Sequence, residues 1–244
     1  MPILKEKMLV EASKSKIGII PARLHSTRFP KKILANICGK PMVINTAEQA
    51  SKCNNLDRII IAIDDDETYH ALKQFDYELV MTSKEHNSGT DRVAEVAKQL
   101  DHAEIIINIQ ADEPFIDPLL IDGLVDAHFD SSVKISTLVS TQLTKSDYYN
   151  ESIVKAFLDK NNFAFDFKRK GASIYKHLGI YGFTKNALLN FVSLKQTSNE
   201  KIRNLEQMRA LDNGIKIKAV ITDKDCLSIN TLDDLSLVGL KEEL

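Results

Sequence analysis

Four short runs of branched apolar residues limit what this chain can fold into. Residues 17–20, 58–63, 78–81 and 104–109 are rich in Ile, Val and Leu, and each is bounded by polar or turn-forming residues. Apolar residues in unbroken succession suit strands covered on both faces, as in a parallel sheet. Amphipathic helical patterns lie between them, over residues 41–53, 67–75 and 90–100. After the fourth run, Asp117 is placed to cap a helix that has Pro118 at its first position. Strand–helix alternation of this kind predicts an α/β fold, doubly wound about a mostly parallel central sheet. Beyond Ser131 the pattern loosens. Strands are expected over 134–139, 153–159, 179–183 and 215–221, and helices over 199–212 and 231–240, giving a smaller β-rich sub-region. No repeat or linker interrupts residues 17–244, which read as one domain. Residues 1–16 alternate Lys and Glu with short apolar pieces, lack the apolar core of a signal peptide, and read as an N-terminal extension.

Composition narrows the function. Of 244 residues, 27% are charged and the net charge is −2, without the basic excess of a nucleic-acid binder. No run is long enough to insert in a membrane. Cys38, Cys53 and Cys226 are scattered, with no zinc or disulfide spacing, and read as reduced, buried small apolar residues of a cytoplasmic protein.

Ligands of open α/β sheets bind beyond the carboxyl ends of the strands. Three polar segments sit at such ends. The first, after the 17–20 run, carries Arg23, Ser26, Thr27, Arg28, Lys31 and Lys32. Arginine forks match phosphate geometry and lysine adds a compact charge. The glycines of a Walker A loop or a dinucleotide fingerprint are missing. The second is Gln110-Ala111-Asp112-Glu113-Pro114. Its carboxylate can hold a magnesium ion among triphosphate oxygens, or it can simply mark a turn. The third is His86-Asn87-Ser88-Gly89-Thr90-Asp91-Arg92, where Ser88 or Thr90 can cap a helix and Gly89 permits close backbone approach.

In their order, these segments resemble the 3-deoxy-manno-octulosonate cytidylyltransferase (CMP-KDO synthetase) family. The family's opening Ile-Pro-Ala-Arg-x-x-Ser-Thr-Arg-x-Pro-x-Lys is matched from Ile20 to Lys32, and Gly39-Lys40-Pro41-Met42 follows. Its further motifs match His86 to Arg92, Gln110 to Pro114, His177 to Gly182 and Leu205 to Arg209. The resemblance implies a nucleotide-diphospho-sugar transferase-like fold, CTP and a keto-sugar acid as substrates, Mg2+ as cofactor, and a homodimer in the cytoplasm serving lipopolysaccharide biosynthesis. The implied reaction transfers CMP to the anomeric hydroxyl of 3-deoxy-D-manno-octulosonate (KDO) or a close analogue and releases pyrophosphate. It further implies that Arg23, Lys32 and Asp112 are catalytic. Arg23, Ser26, Arg28, Lys32, Asp64, Ser88, Gly89, Arg92 and Gln110 would bind CTP. Gln110, His177, Tyr181, Glu206 and Gln207 would bind the sugar, and Asp112 and Asn230 the metal. Spacing alone favours reading His177 and Tyr181 as core residues, and Glu206 and Gln207 as part of a solvated helix face; only the motif match reverses that preference.

Three positions depart from the family pattern. Asn230 replaces the usual aspartate ahead of Thr231, so it offers an amide oxygen without charge, or with Thr231 and Asp234 merely a helix cap. Ala111 stands in a glycine place. Lys168 stands in a serine place, and the chain then reaches His177 by a short path on which Arg169, Lys170 or Lys176 would have to supply a charge for the sugar carboxylate. These departures leave open an acceptor such as an 8-amino analogue of KDO, or a nucleotide-binding relative that regulates rather than catalyses.

Overall fold

The computed structural model describes residues 15–26 and 29–236. In chain order they form β1 (Ser15–Ala22), the short hairpin β2 (Asn36–Ile37) and β3 (Lys40–Pro41), α1 (Met42–Ala50), β4 (Arg58–Ile63), α2 (Asp66–Leu72), β5 (Glu78–Met81), α3 (Gly89–Lys98), β6 (Ala103–Asn108), α4 (Pro118–Asp126), β7 (Ile135–Ser140), β8 (Lys155–Leu158), β9 (Phe163–Lys168), β10 (Tyr175–Thr184), α5 (Lys185–Ser193), α6 (Ser198–Arg203), α7 (Met208–Asp212) and β11 (Ile217–Thr222). β1 begins inside the expected N-terminal extension, because Ser15 and Lys16 already pair with β6. The rest of that extension lies outside the described residues.

Nine strands form one sheet in the order β5-β4-β1-β6-β10-β7-β11-β9-β8. Pairing is parallel from β5 to β6 and between β7 and β11, while β10 runs against both β6 and β7. The β-rich sub-region is β8 and β9, antiparallel to each other and closed onto β10 and β11. Helices cover both faces. Ile17, Ile19, Ile60 and Ile106 face a core shared with Val93 of α3 and Leu188 and Phe191 of α5. Their strand neighbours Ile20, Ile61, Ile105 and Ile107 face Ile44 of α1 and Leu120 and Leu124 of α4. Burial on both faces is why the isoleucine runs show no polar alternation.

The chain steps outward from β1 to β4 to β5, then returns to the other side of β1 as β6. That reversal opens a crevice beyond the carboxyl ends of β1 and β6. Because β10 is antiparallel, its first half meets the same edge: Tyr181 pairs with Asn108 at the end of β6, and Lys176 with Ser140 at the end of β7.

One expected helix is broken. Residues 199–212 form α6 and α7, because Asn204 ends α6 in the left-handed conformation with φ 51°. Asparagine tolerates that geometry at a helix end. The break turns Leu205 and Gln207 inward, where both are buried. The final helix is described over 232–236 and starts at Thr231 with a capping box: Asp234 N–H donates to Thr231 Oγ1 at 3.2 Å, and Thr231 N–H to Asp234 Oδ2 at 2.9 Å. Cys38 is exposed on the β2–β3 turn rather than buried, and Cys53 and Cys226 are half-buried.

Candidate active site

Two cavities of about 310 Å³ open at the β1–β6 crevice, and both are lined by Gln110 and Asp112. The first is also bordered by Arg23, Ser26, Lys32, Ser88, Gly89, Arg92 and Asn230. Arg23 is exposed and makes no ion pair among the described residues. Ser88 caps α3, its Oγ accepting from Asp91 N–H at 3.1 Å. Gly89 lets that helix end approach the end of β1, since a Cβ there would lie 3.2 Å from Pro21 Cγ. Arg28 lies outside the described residues.

Asp64 is placed behind this wall, and its side chain does not line the cavity. Its carboxylate accepts from Leu24 N–H at 3.0 Å and from Arg92 Nη2 at 2.9 Å. Arg92, only 3% exposed, also donates to Thr82 Oγ1 and to Ser83 O. Burial draws its guanidinium below its ordinary range, against the pull of Asp64. The pair therefore braces the loop after β1 against α3. His86, absent from the sequence-based set, also borders the cavity, held by Glu95.

Lys32 donates to Asp112 Oδ2 at 2.6 Å and to Asn230 Oδ1 at 3.3 Å. The two oxygens thus converge on one cationic point. Among the described residues no three acidic, His or Cys side chains cluster tightly enough to hold a metal unaided. One carboxylate and one amide oxygen nevertheless fit magnesium, which typically completes its shell with phosphate and water. Ala111 accommodates its Cβ on an ordinary backbone, with its carbonyl accepting from Thr46 Oγ1 at 3.1 Å.

The second cavity brings together His177, Tyr181, Glu206 and Gln207, with Thr90, Asn108, Glu113 and Ser228. A bulge in β10 sets its shape: the register shifts between His177 and Tyr181, and Gly179 adopts φ 74°. Thr137 donates to Ile180 O at 2.8 Å, so its oxygen accepts from His177 Nε2–H at 3.0 Å. Desolvation lowers the pKa of His177 to about 3 and so keeps the ring neutral; with the proton on Nε2, Nδ1 is the acceptor, and the ring lies edge-on to Phe167 and Tyr181. Burial also raises Glu206, whose Oε2 accepts from Thr90 Oγ1 at 2.6 Å. Burial and then the Glu206 charge hold the Tyr181 hydroxyl well above its usual range. Glu113 is 2% exposed, with Ser228 on one carboxylate oxygen, and burial pushes its pKa up to about 8.

Buried polar atoms are almost always paired. Here Asn108 Oδ1, Glu113 Oε2, Glu206 Oε1 and Gln207 Nε2 have no hydrogen-bond partner, and all four residues border this cavity. Sequence reasoning left out Thr90 as a hydrogen-bond donor, Asn108, Glu113, Thr137 and Ser228. A polar residue closing an isoleucine run was a signal for Asn108, whereas nothing in the sequence marks Thr137. Of the expected replacement charges, Arg169 is spent on the carbonyls of Glu151, Arg203 and Asn204, and Lys170 pairs with Glu151 at the surface. Lys176 borders an adjoining cavity of about 1010 Å³ and is bonded to both oxygens of Asp225.

A cytidylyltransferase family model matches residues 17–217. The 3-deoxy-manno-octulosonate cytidylyltransferase of Thermodesulfovibrio yellowstonii is 40% identical, covering 91% of this chain and 95% of its own. That of Geobacter sulfurreducens is 37% identical, with 91% and 96% covered. A solved CMP:2-keto-3-deoxy-manno-octonic acid synthetase in complex with CTP superposes with a TM-score of 0.88 at 31% identity, over 94% of this chain and all of that one. A 4-diphosphocytidyl-2C-methyl-D-erythritol synthase from Anaerococcus prevotii, 14% identical with a TM-score of 0.66 over 95% of this chain and all of that one, shares the fold.

Proposed function

The chain belongs to the 3-deoxy-manno-octulosonate cytidylyltransferase family, and we propose that it transfers CMP from CTP to the anomeric hydroxyl of KDO, releasing pyrophosphate. One observation carries the reading: a cationic cavity and a cavity bordered by four residues that each keep one polar atom without a hydrogen-bond partner share Gln110 and Asp112. A triphosphate suits the first. A polyol, whose hydroxyls both donate and accept, suits the second. Their shared wall is where the two substrates meet.

The reaction makes a bond from the anomeric oxygen to the α-phosphorus as the bond to pyrophosphate breaks, and the hydroxyl proton is released. Such transfers depend on positioning and charge neutralisation. Arg23 and Lys32 neutralise the departing pyrophosphate. Ser88, Gly89 and the Arg92–Asp64 brace shape the nucleotide pocket, and Gln110 separates nucleotide from sugar. His177, Tyr181, Glu206 and Gln207 orient the acceptor. Asp112 and Asn230 would hold Mg2+, which supplies further neutralisation of phosphoryl charge when bound. Family membership supports a homodimer that works in the cytoplasm and supplies activated sugar for lipopolysaccharide biosynthesis. No described helix is long and apolar enough to cross a membrane.

Pyrophosphate release with CTP, magnesium and a panel of ulosonic acids tests the assignment. Turnover with KDO is the expected result. Turnover only with another acid, such as an 8-amino analogue, would move the acceptor, for which the commitment of Arg169 and Lys176 elsewhere provides a structural reason. CTP binding without turnover on any acid would make the protein a regulator.

A further inference from the structure

Lys32 occupies the point where a cation would sit. Its ammonium is 2.6 Å from Asp112 Oδ2 and 3.3 Å from Asn230 Oδ1. Its backbone is held on both sides, N–H donating to Phe29 O at 3.2 Å and the carbonyl accepting from Ala35 N–H at 3.0 Å, which leaves the side chain as the part that can move. Asp234, four residues beyond Asn230, has Oδ2 committed to the N–H groups of Asn230 and Thr231 at 2.8 and 2.9 Å. The two side-chain oxygens bonded to Lys32 thus carry one negative charge between them, which the ammonium balances, while the Asp234 carboxylate acts on Lys32 from beyond hydrogen-bond distance. A divalent cation arriving alone would have to expel a tethered positive charge that stays nearby. In exchange it would gain one carboxylate and one neutral amide. A triphosphate changes this balance, because it offers Lys32 other anionic oxygens within reach of the same cavity and supplies the cation with further ligands.

Building on the cytidylyltransferase reading, we propose that Lys32 keeps the metal position closed in the nucleotide-free chain, and that the triphosphate opens it by drawing the ammonium onto its own oxygens. Nucleotide thus binds before the metal. Asn230 belongs to the same device. Its neutral amide is a weak competitor for a dication, whereas an aspartate would add a charge in favour of the metal.

Mn2+ binding, followed by electron paramagnetic resonance on the folded protein, tests the order. Without nucleotide, the wild type should bind Mn2+ at least about tenfold more weakly than with a non-hydrolysable CTP analogue. Lys32→Met and Asn230→Asp should each tighten nucleotide-free binding by about tenfold, the scale expected for changing one charge beside a partly solvated cation site. Thermal melting confirms that each variant is folded. Equal wild-type affinity with and without the analogue would overturn the proposal, as would no gain in both variants. If the analogue itself fails to bind, the function assigned above fails, while the nucleotide-free comparison of wild type and variants still decides whether Lys32 excludes the metal.

Discussion

His177 shows how one side chain packed beside a cavity can tie stability to pH. Its neutral ring is fixed by Thr137 and packed against Phe167 and Tyr181. Its pKa falls from 6.5 to about 3 on folding, so below pH 6.5 the unfolded chain takes up a proton that the folded chain refuses. Stability therefore falls with acid across that window and stops falling, on this account, below about pH 3. Between pH 6.5 and about pH 4.5 the loss should be on the order of 2 kcal/mol. In His177→Gln that portion of the acid dependence should vanish, which urea unfolding at the two pH values will read. An unchanged acid dependence would show that the ring is already solvated. The motif match pointed to His177. Its tautomer and its holder, Thr137 on a neighbouring strand, depended on strand pairing, which no local pattern reveals.

At the scale of elements, the bulge in β10 deserves its own test. Gly179 has φ 74°, and a Cβ there would meet nothing within 4 Å. Any cost of Gly179→Ala is thus backbone strain, about 1 kcal/mol, with no clash added. Gln110 Nε2 donates to Gly179 O at 3.4 Å, which connects the bulge to the boundary between the two cavities. The substitution should raise KM for the sugar acid severalfold and leave KM for CTP nearly unchanged. Equal shifts in both would place the bulge outside the sugar site. Strands buried on both faces were legible as apolar runs, and the cap at Asp117 from residue type, while the structure chose Ser88 over Thr90 and Thr231 over Asn230 as the other two caps. The break at Asn204 was not legible. Its helical periodicity continues on either side, and only the inward turn of Leu205 and Gln207 explains the interruption.

Across the whole molecule, the Asp64–Arg92 pair joins the ends of β1, β4 and β5 to α3. Both side chains are nearly sealed from solvent, at 9% and 3% exposure. Asp64→Ala leaves a buried guanidinium without its counter-ion and should cost on the order of 3–5 kcal/mol. Glu78→Ala removes an ion pair with Arg58 whose side chains are over two-fifths exposed, and should cost under about 1 kcal/mol. Denaturant midpoints of the two variants give the comparison, and equal losses would show that the Asp64 pair is solvated in solution.

The sequence by itself marked the strands at 17–20, 58–63 and 104–109 as two-sided, showed where three polar loops interrupt the pattern, and indicated which family the ordered motifs resemble. Those properties reside in residue type and short-range spacing. The 78–81 run, grouped with the two-sided strands, is instead an edge strand with no buried residue. The tertiary structure decided which charges are available. Arg23 is open to the cavity, Arg92 braces its wall, Arg169 is consumed by carbonyls, and Lys32 stands between Asp112 and Asn230. All four are equally cationic in sequence. Their roles separate only when folding brings distant segments within a few ångströms, where Coulomb attraction and desolvation depend on distance and burial rather than on position in the chain.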